Sequence, residues 1–277
     1  MKTILLAGCG NMGFAMLKGW LNKGATLPQD VFVVEPNDAL RSGAAGLGVN
    51  VAASVEDFIG TKIDLLMIAL KPQVLEEALQ SYRSFTDAGA TLITVAAGAP
   101  IALYNRVLGV AVPIIRTMPN TPAAIGAGMI GMVSNAYVSN AAKAFARNLL
   151  EANGVVDELD NEAMIDVVTA ISGSGPAYLF HFIECMAVAA EAAGMNKAQA
   201  TLYARQTVFG AAKLAEQASE DAAQLRVNVT SPKGTTYAAL QVLMGDNLAG
   251  EKRLENLMVE AVAAAKARAE ELGRSSS

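Results

Sequence analysis

The chain has little of what most catalytic centres are built from. Of its 277 residues, one is histidine (His181) and two are cysteine (Cys9 and Cys185). A zinc site of the usual Cys/His kind therefore lacks ligands, and no metal is expected. A Ser-His-Asp or Cys-His hydrolase would have to use His181, which sits inside an apolar helical stretch without a nucleophile motif. That histidine is read as structural, packed or hydrogen-bonded along its own helix. Two cysteines are too few for a disulfide framework and fit a reducing compartment. No block of Lys or Arg occurs, and the formal net charge of −5 argues against a nucleic-acid partner. Apolar runs are too short to span a bilayer; Glu184 and Glu191 interrupt the one after Pro176. Met1-Lys2-Thr3 passes straight into a strand pattern, without the look of a signal or transit peptide. The expectation is a cytoplasmic protein.

What the chain has in quantity is apolar residues, 53% of the total, enough for a large core and a buried subunit interface. It also has one strong punctuation mark. The run Thr3-Ile4-Leu5-Leu6-Ala7 leads into Gly8-Cys9-Gly10-Asn11-Met12-Gly13 and then into a helical pattern. Strand, G-x-G-x-x-G and helix together read as a dinucleotide-binding turn. Gly8 allows the tight turn, Gly10 lets a pyrophosphate approach the backbone, and Gly13 lets the helix pack on the strand. The plain alternative is a glycine-rich corner with no ligand.

Further strands are expected at Val31–Glu35, Ile63–Leu70, Thr91–Val95 and Val112–Arg116. Alternation with helices to about residue 150 predicts a doubly wound α/β (Rossmann-type) domain. Glu35 falls about where an acid would bond the ribose hydroxyls of NAD and repel the extra phosphate of NADP. Asn37 and Arg41 follow closely and can reach such a phosphate, so the coenzyme choice stays open at this point; Glu35 can also be a solvated strand end. Ala69-Leu70-Lys71-Pro72 lies beyond the third apolar run and should edge the ligand, with Pro72 in the first turn of a helix. Ala96-Ala97-Gly98-Ala99 offers small residues where a flat ring can lie.

From about Asp160 strand signals vanish. Helices are expected near 161–171, 176–193, 197–218, 236–244 and 248–272, with Gly194 ending one and Asn196 capping the next. The division is a dinucleotide-binding domain over 1–158 and an all-α C-terminal domain over 159–277. Two helix starts stand out. Ser172-Gly173-Ser174-Gly175-Pro176 reads as an ordinary N-cap. Thr230-Ser231-Pro232-Lys233-Gly234-Thr235-Thr236 gathers hydroxyls, a glycine and a cation, which suits either a carboxylate or a cap. A carboxylate anchor without a histidine suggests a hydride acceptor that is already electrophilic, such as a protonated imine.

These motifs, together with Arg116-Thr117-Met118-Pro119-Asn120-Thr121-Pro122 and Ala177-Tyr178, stand in the order found in pyrroline-5-carboxylate reductases, and the chain resembles that family over nearly its whole length. The resemblance implies NAD(P)H-dependent reduction of L-1-pyrroline-5-carboxylate to L-proline. NADPH is the expected coenzyme, with NADH as the other choice. It also implies a helical domain that interlocks two subunits as a homodimer, and often rings of dimers. It places the substrate carboxylate on Ser231 to Thr236, with Ser231, Lys233, Gly234 and Thr235 in that loop. The Thr236 hydroxyl, the one catalytic group expected, would bond the ring nitrogen. Gly8, Cys9, Gly10, Asn11, Met12, Gly13, Ala69, Leu70, Lys71 and Pro72 would meet the cofactor, joined by Glu35, Asn37 and Asn120. One departure is Lys233, where the family usually has glycine; it either strengthens anion binding or alters the loop if φ > 0 is required there. A β-hydroxyacid dehydrogenase is the nearest enzymatic rival, but Ala177 to His181 supply no lysine after the Ser-Gly helix start. A nicotinamide-sensing regulator on the same fold is the non-catalytic alternative.

Overall fold

In the first strand, β1 (Ile4–Ala7), every side chain is buried, as expected for a parallel strand covered on both faces. The computed structural model describes residues 2–245 and 253–275. Among these, β1 is joined by β2 (Val31–Val34), β3 (Asn50–Ala52), β4 (Leu65–Ile68), β5 (Thr91–Thr94), β6 (Ile114–Met118), β7 (Gly128–Ser134) and β8 (Gly154–Glu158). They form one sheet in the order β3-β2-β1-β4-β5-β6-β7-β8. All neighbours are parallel except β6 and β7. The order reverses beside β1, whose partners are β2 and β4, so the turn after β1 opens at the crevice where such sheets bind ligands.

Alternate strand residues serve two cores. Ile4, Leu6, Val31, Val33, Leu65 and Met67 face α1 (Asn11–Asn22), α2 (Asp38–Ala45) and α6 (Asn140–Glu151), with Trp20, Met16, Leu149 and Leu150 filling that side. Leu5, Ala7, Leu66, Ile68 and Leu92 face α3 (Pro72–Leu79), α4 (Arg83–Asp87) and α5 (Ile101–Leu108) through Leu75, Leu79, Phe85 and Tyr104. Each such Leu or Ile contributes about 1.5–3 kcal/mol of transfer free energy. This two-faced period of two makes the first domain doubly wound, as expected.

Three strands lie outside the predicted set. β3 has three residues, β7 carries two glycines and two methionines in place of β-branched residues, and β8 ends in Asp157-Glu158. β7 is placed by burial, not by propensity.

The chain folds as two compact units. Residues up to Ser174, together with those from Ala265 onward, form one, and Gly175–Ala264 form the second. That division falls later than the 158/159 boundary read from the sequence. The segment after β8 stays on the sheet: Leu159 donates to the Met132 carbonyl (2.8 Å), and Ile165 on α7 (Met164–Val168) is buried. The following turn, 169–173, is π-helical, so Ser172 to Ser174 continue a helix and do not cap one. The C-terminal end of α12 (Arg253–Ser275) also belongs to this unit, where Leu272 lies against Gly98.

The second unit holds α8 (Gly175–Ala192), α9 (Lys197–Gln217), α10 (Ala222–Asn228), α11 (Thr235–Met244) and the start of α12. Asn196 caps α9 as expected, its Oδ1 accepting from the Gln199 amide at 3.0 Å, and Gly194 has φ +108. α10 lies outside the predicted set; residues 248–252 of the last predicted helix lie outside the described residues. Much apolar surface on these helices is exposed in the single chain, including Phe180, Phe182, Leu202, Tyr203 and Phe209. No helix among the described residues is long and apolar enough to cross a membrane.

One buried ion pair binds the post-β8 segment to the sheet. Glu162 Oε1 accepts from Arg116 Nη1 and from the Ile101 amide, each at 2.7 Å, while Arg116 is only 5% exposed. Removing the acid would leave a buried guanidinium without its counter-charge. Glu162→Ala should lower stability in urea by about 2–3 kcal/mol, less than for a fully buried pair because Glu162 is partly wet. The double change Arg116→Met with Glu162→Leu should recover most of that loss. An unchanged midpoint for Glu162→Ala would show that the pair contributes nothing.

Candidate functional site

The turn after β1 is held by contacts that admit no side chain. Gly8 sits at φ +88 and its amide donates to the Val34 carbonyl at 2.9 Å. A Cβ there would lie 2.7 Å from the Ala69 carbonyl oxygen, and one on Gly13 would lie 2.3 Å from the Gly8 carbonyl oxygen. α1 can therefore sit directly on the turn only because position 13 is glycine, and the Ala69–Leu70 edge can close on the turn only because position 8 is. Gly10 differs: a Cβ on it would meet nothing within 4 Å. The first bond within α1 runs from the Phe14 amide to the Gly10 carbonyl (2.8 Å), which leaves the amides of Asn11, Met12 and Gly13 at the free, positive end of the helix.

Beside that helix end lies a cleft of about 490 Å³ lined by Gly10, Asn11 and Met12 on one side. Ala69, Leu70, Lys71 and Pro72 line the other, with Val95, Ala96 and Ala97 at the end of β5 and Leu40 from α2. Pro72 is the first residue of α3, as expected. A hollow of about 330 Å³ adjoins it, sharing Gly10, Asn11 and Leu40 and adding Cys9, Phe14 and Lys18. Most expected cofactor residues are thus gathered along one crevice at the carboxyl ends of β1, β4 and β5.

Three of them are employed otherwise. Glu35 is buried; its Oε2 accepts from the Cys9 amide (2.8 Å) and its Oε1 from the Asn37 amide (2.9 Å). It is therefore neither a solvated strand end nor a carboxylate with both oxygens free for a ribose, but a brace between the glycine turn and the β2–α2 loop. Asn37 caps α2, its Oδ1 accepting from the Leu40 amide (3.1 Å). Asn120 donates through Nδ2 to the Ser172 carbonyl (3.1 Å) and hydroxyl (3.2 Å) and accepts from the Met129 amide (3.0 Å). Its side chain ties β6, β7 and the π turn together, and Asn120 does not line the cleft. Sequence reasoning misses Leu40, Phe14 and Lys18, although Leu40 is legible as the residue one turn into a helix capped by Asn37. Cys9 has its thiol pushed up to about 11, first by burial and then by the Glu35 charge, so it stays protonated and unreactive near neutrality.

The second constellation lies in the helical unit. Ser231 to Gly234 form a tight turn, the Gly234 amide donating to the Ser231 carbonyl at 3.0 Å. A Cβ on Gly234 would lie 2.3 Å from the Ser231 hydroxyl oxygen. Gly234 is the N-cap of α11, so Thr235 and Thr236 open that helix. Lys233 adopts φ +61 in the left-handed region, the only non-glycine residue with positive φ among the described residues. The lysine thus takes a glycine-type conformation and the loop keeps its turn, at a backbone cost of about 1–2 kcal/mol. His181 bonds along its own helix as expected, Nδ1 lying 3.0 Å from Glu184 Oε2, although it is exposed in the single chain.

The glycine geometry separates folding from binding. Gly13→Ala should destabilise the fold and abolish nucleotide binding together, because the Gly8 backbone must move. Gly10→Ala should leave the urea midpoint unchanged and weaken nucleotide affinity about tenfold or more, since its methyl enters only open space at the helix end. Equal affinities for Gly10→Ala and wild type in a titration would remove Gly10 from the binding surface.

Comparison with known proteins agrees across the whole chain. The family model described as pyrroline-5-carboxylate reductase dimerisation matches residues 162–272, and the one described as NADP oxidoreductase coenzyme F420-dependent matches residues 3–98. The pyrroline-5-carboxylate reductase of Escherichia coli strain K12 is 36% identical over 275 residues, which cover 99% of each chain. That of Pseudomonas aeruginosa is 35% identical, covering 97% of this chain and 96% of the relative. Among solved structures, a pyrroline-5-carboxylate reductase from Coxiella burnetii superposes with a TM-score of 0.89 at 32% identity, over 98% of both chains. The Plasmodium falciparum pyrroline carboxylate reductase with NADP bound gives 0.81 at 25% identity, again over 98% of both. With similarity of this order running from the glycine turn into the last helix, the chain belongs to the pyrroline-5-carboxylate reductase family.

Proposed function

We propose that this chain reduces L-1-pyrroline-5-carboxylate to L-proline, the last step of proline synthesis, with NADPH or NADH as hydride donor. The observation that carries the reading is the left-handed turn at Lys233, which keeps Ser231 to Thr236 in the form of an anion-binding helix start even though glycine is absent there. The crevice fits a nicotinamide dinucleotide. There is open space over Gly10, three amides sit at the end of α1, and small residues Ala96 and Ala97 lie where a flat ring would rest. NADP is the coenzyme named for the Plasmodium relative, and it supports NADPH here.

A bound nicotinamide supplies the hydride; the chain supplies position. In the proposed mechanism the amides and hydroxyls at the start of α11, with the Lys233 charge, take the substrate carboxylate. Thr236 Oγ1 accepts from the N–H of the protonated imine and so fixes the face of its carbon. Hydride addition to that carbon moves the C=N electron pair onto nitrogen, giving the secondary amine, which then takes a proton from water. No histidine is needed because the electrophile arrives protonated. Orientation of two reactants in this way contributes on the order of 7–11 kcal/mol to lowering a barrier.

The exposed apolar residues of α8 and α9 fit burial against a second copy, and we infer a homodimer paired through the helical unit, with rings of dimers as a further level. A cytoplasmic location is part of the same reading. The first test is imine-dependent loss of reduced-coenzyme absorbance, run with NADPH and with NADH, with proline identified as product. Folded, coenzyme-binding protein without turnover would favour the nicotinamide-sensing regulator. Thr236→Ala should keep fold and coenzyme affinity and lower kcat/KM about tenfold or more, the worth of one hydrogen bond made to the reacting group. Thr236→Ser should retain most activity. Unchanged kinetics in Thr236→Ala would remove the hydroxyl from the mechanism.

A further inference from the structure

Past the end of β5 the backbone is held from below. The Val95 amide still bonds across the sheet, to the Ile68 carbonyl at 3.2 Å. The next amide, that of Ala96, turns back and donates to Thr94 Oγ1 at 3.1 Å. The same oxygen shares a hydrogen bond with the Tyr104 hydroxyl on α5, and the Thr94 carbonyl accepts from Thr117 Oγ1 at 2.8 Å. Thr94 and Tyr104 have no exposed surface. Neither lines the cleft, whereas Val95, Ala96 and Ala97, the three residues after Thr94, all do.

An amide that borders an open cleft can be satisfied by water or by a ligand; here a buried side chain takes it instead. A threonine hydroxyl alone can turn among staggered positions, but one shared with a second buried hydroxyl is held in place. Burial raises the Tyr104 phenol well above its usual range, so it keeps its proton and the shared bond persists. The peptide between Val95 and Ala96 is thereby given one orientation, before Gly98 at φ +69 turns the chain. At the other end of the same loop the Ile101 amide is taken by Glu162, so the segment is pegged by a side-chain acceptor at each end.

We propose that Thr94, locked by Tyr104, is a positioning residue for hydride transfer. It holds Ala96 and Ala97 as the seat on which the nicotinamide ring lies, and neither hydroxyl touches coenzyme or substrate. This rests on the reductase reading of the crevice and adds what sets the height and tilt of the ring. Reacting atoms must stand about 3–3.5 Å apart, and a misplacement of about 1 Å costs about a hundredfold in rate. A seat freed from Thr94 shifts by part of that distance, while the glycine turn, which depends on neither hydroxyl, keeps its hold on the rest of the coenzyme.

The test separates the ring from the rest of the coenzyme. The full chain is titrated with NADP+ and NAD+ and with their ADP-ribose portions, which lack nicotinamide, and hydride transfer to the imine is followed in a single turnover. Thr94→Val keeps the shape and removes the hydroxyl. It should leave the ADP-ribose portions within about twofold, weaken the dinucleotides about threefold and slow hydride transfer about tenfold. Thr94→Ser should restore the rate to within about threefold of wild type, and Tyr104→Phe alone should slow it about threefold. Added to Thr94→Val, Tyr104→Phe should bring no further loss, because it acts only through Thr94. Wild-type hydride transfer in Thr94→Val overturns the proposal, and so does an equal fall in dinucleotide and ADP-ribose affinity, which marks plain support of the loop. If Thr94→Val does not fold, Tyr104→Phe decides, and an unchanged single-turnover rate there overturns the proposal. In each of these cases the reductase reading stands. Wild-type protein that binds none of these ligands, or binds them without reducing the imine, overturns the proposal together with that reading.

Discussion

The close approach of α1 to the turn after β1 is the constraint on which the rest depends. Gly13 lets the helix descend until its first turn touches the Gly8 carbonyl, and Gly8 lets the Ala69 carbonyl close in on the same turn. The far end of the helix is anchored by Met16, Leu17 and Trp20 in the core. A second glycine on the helix, Gly19, admits a further tie. A Cβ on Gly19 would lie 2.1 Å from Asn153 Nδ2, and that amide donates to the carbonyls of Ala15 (2.9 Å) and Ala123 (3.3 Å). The helix is thus pinned at its start, middle and end, and its free amides point at one place only. Preorganised donors of this kind need no rearrangement when a phosphate arrives.

Charged and polar side chains in this unit spend themselves mainly on holding loops. Glu35 braces the glycine turn, Asn120 braces the π turn, and Glu162 joins the start of α5 to Arg116. Tyr104, under the same loop, shares a hydrogen bond with Thr94, and burial raises its phenol well above the usual range. Such groups look like chemistry in a sequence, because an acid or amide at a fixed distance from a glycine motif is what a ligand would need. Their actual partners are backbone amides and carbonyls, which no residue pattern displays.

The same limit explains what was legible. Strands β1, β2, β4, β5 and β6 could be read because each is a run of apolar, mostly β-branched or leucine residues covered on both faces. β7 could not, since Gly128, Gly131 and two methionines suggest no strand; it is held by antiparallel pairing with β6, parallel pairing with β8 and the burial of Ile130 and Met132. The glycine turn and the Ala69–Pro72 edge are local features and come together as expected. The Ser172–Gly175 cap is absent, because a π turn carries the helix through it. At Lys233 the sequence poses the right question, whether φ must be positive, and the structure answers at +61.

The course of α12 bears on how the chain is made. Its residues from Ala265 belong to the sheet-bearing unit, yet they follow the whole of Gly175–Ala264 in the sequence. A ribosome adds about 5–20 residues per second, so the sheet waits several seconds between the emergence of Ser174 and that of Leu272, which lies against Gly98. Through that interval the loop after β5 lacks one of its walls. The sheet-bearing half, although translated first, is the half finished last, and a stalled or truncated nascent chain would leave the loop after β5 uncovered at Gly98.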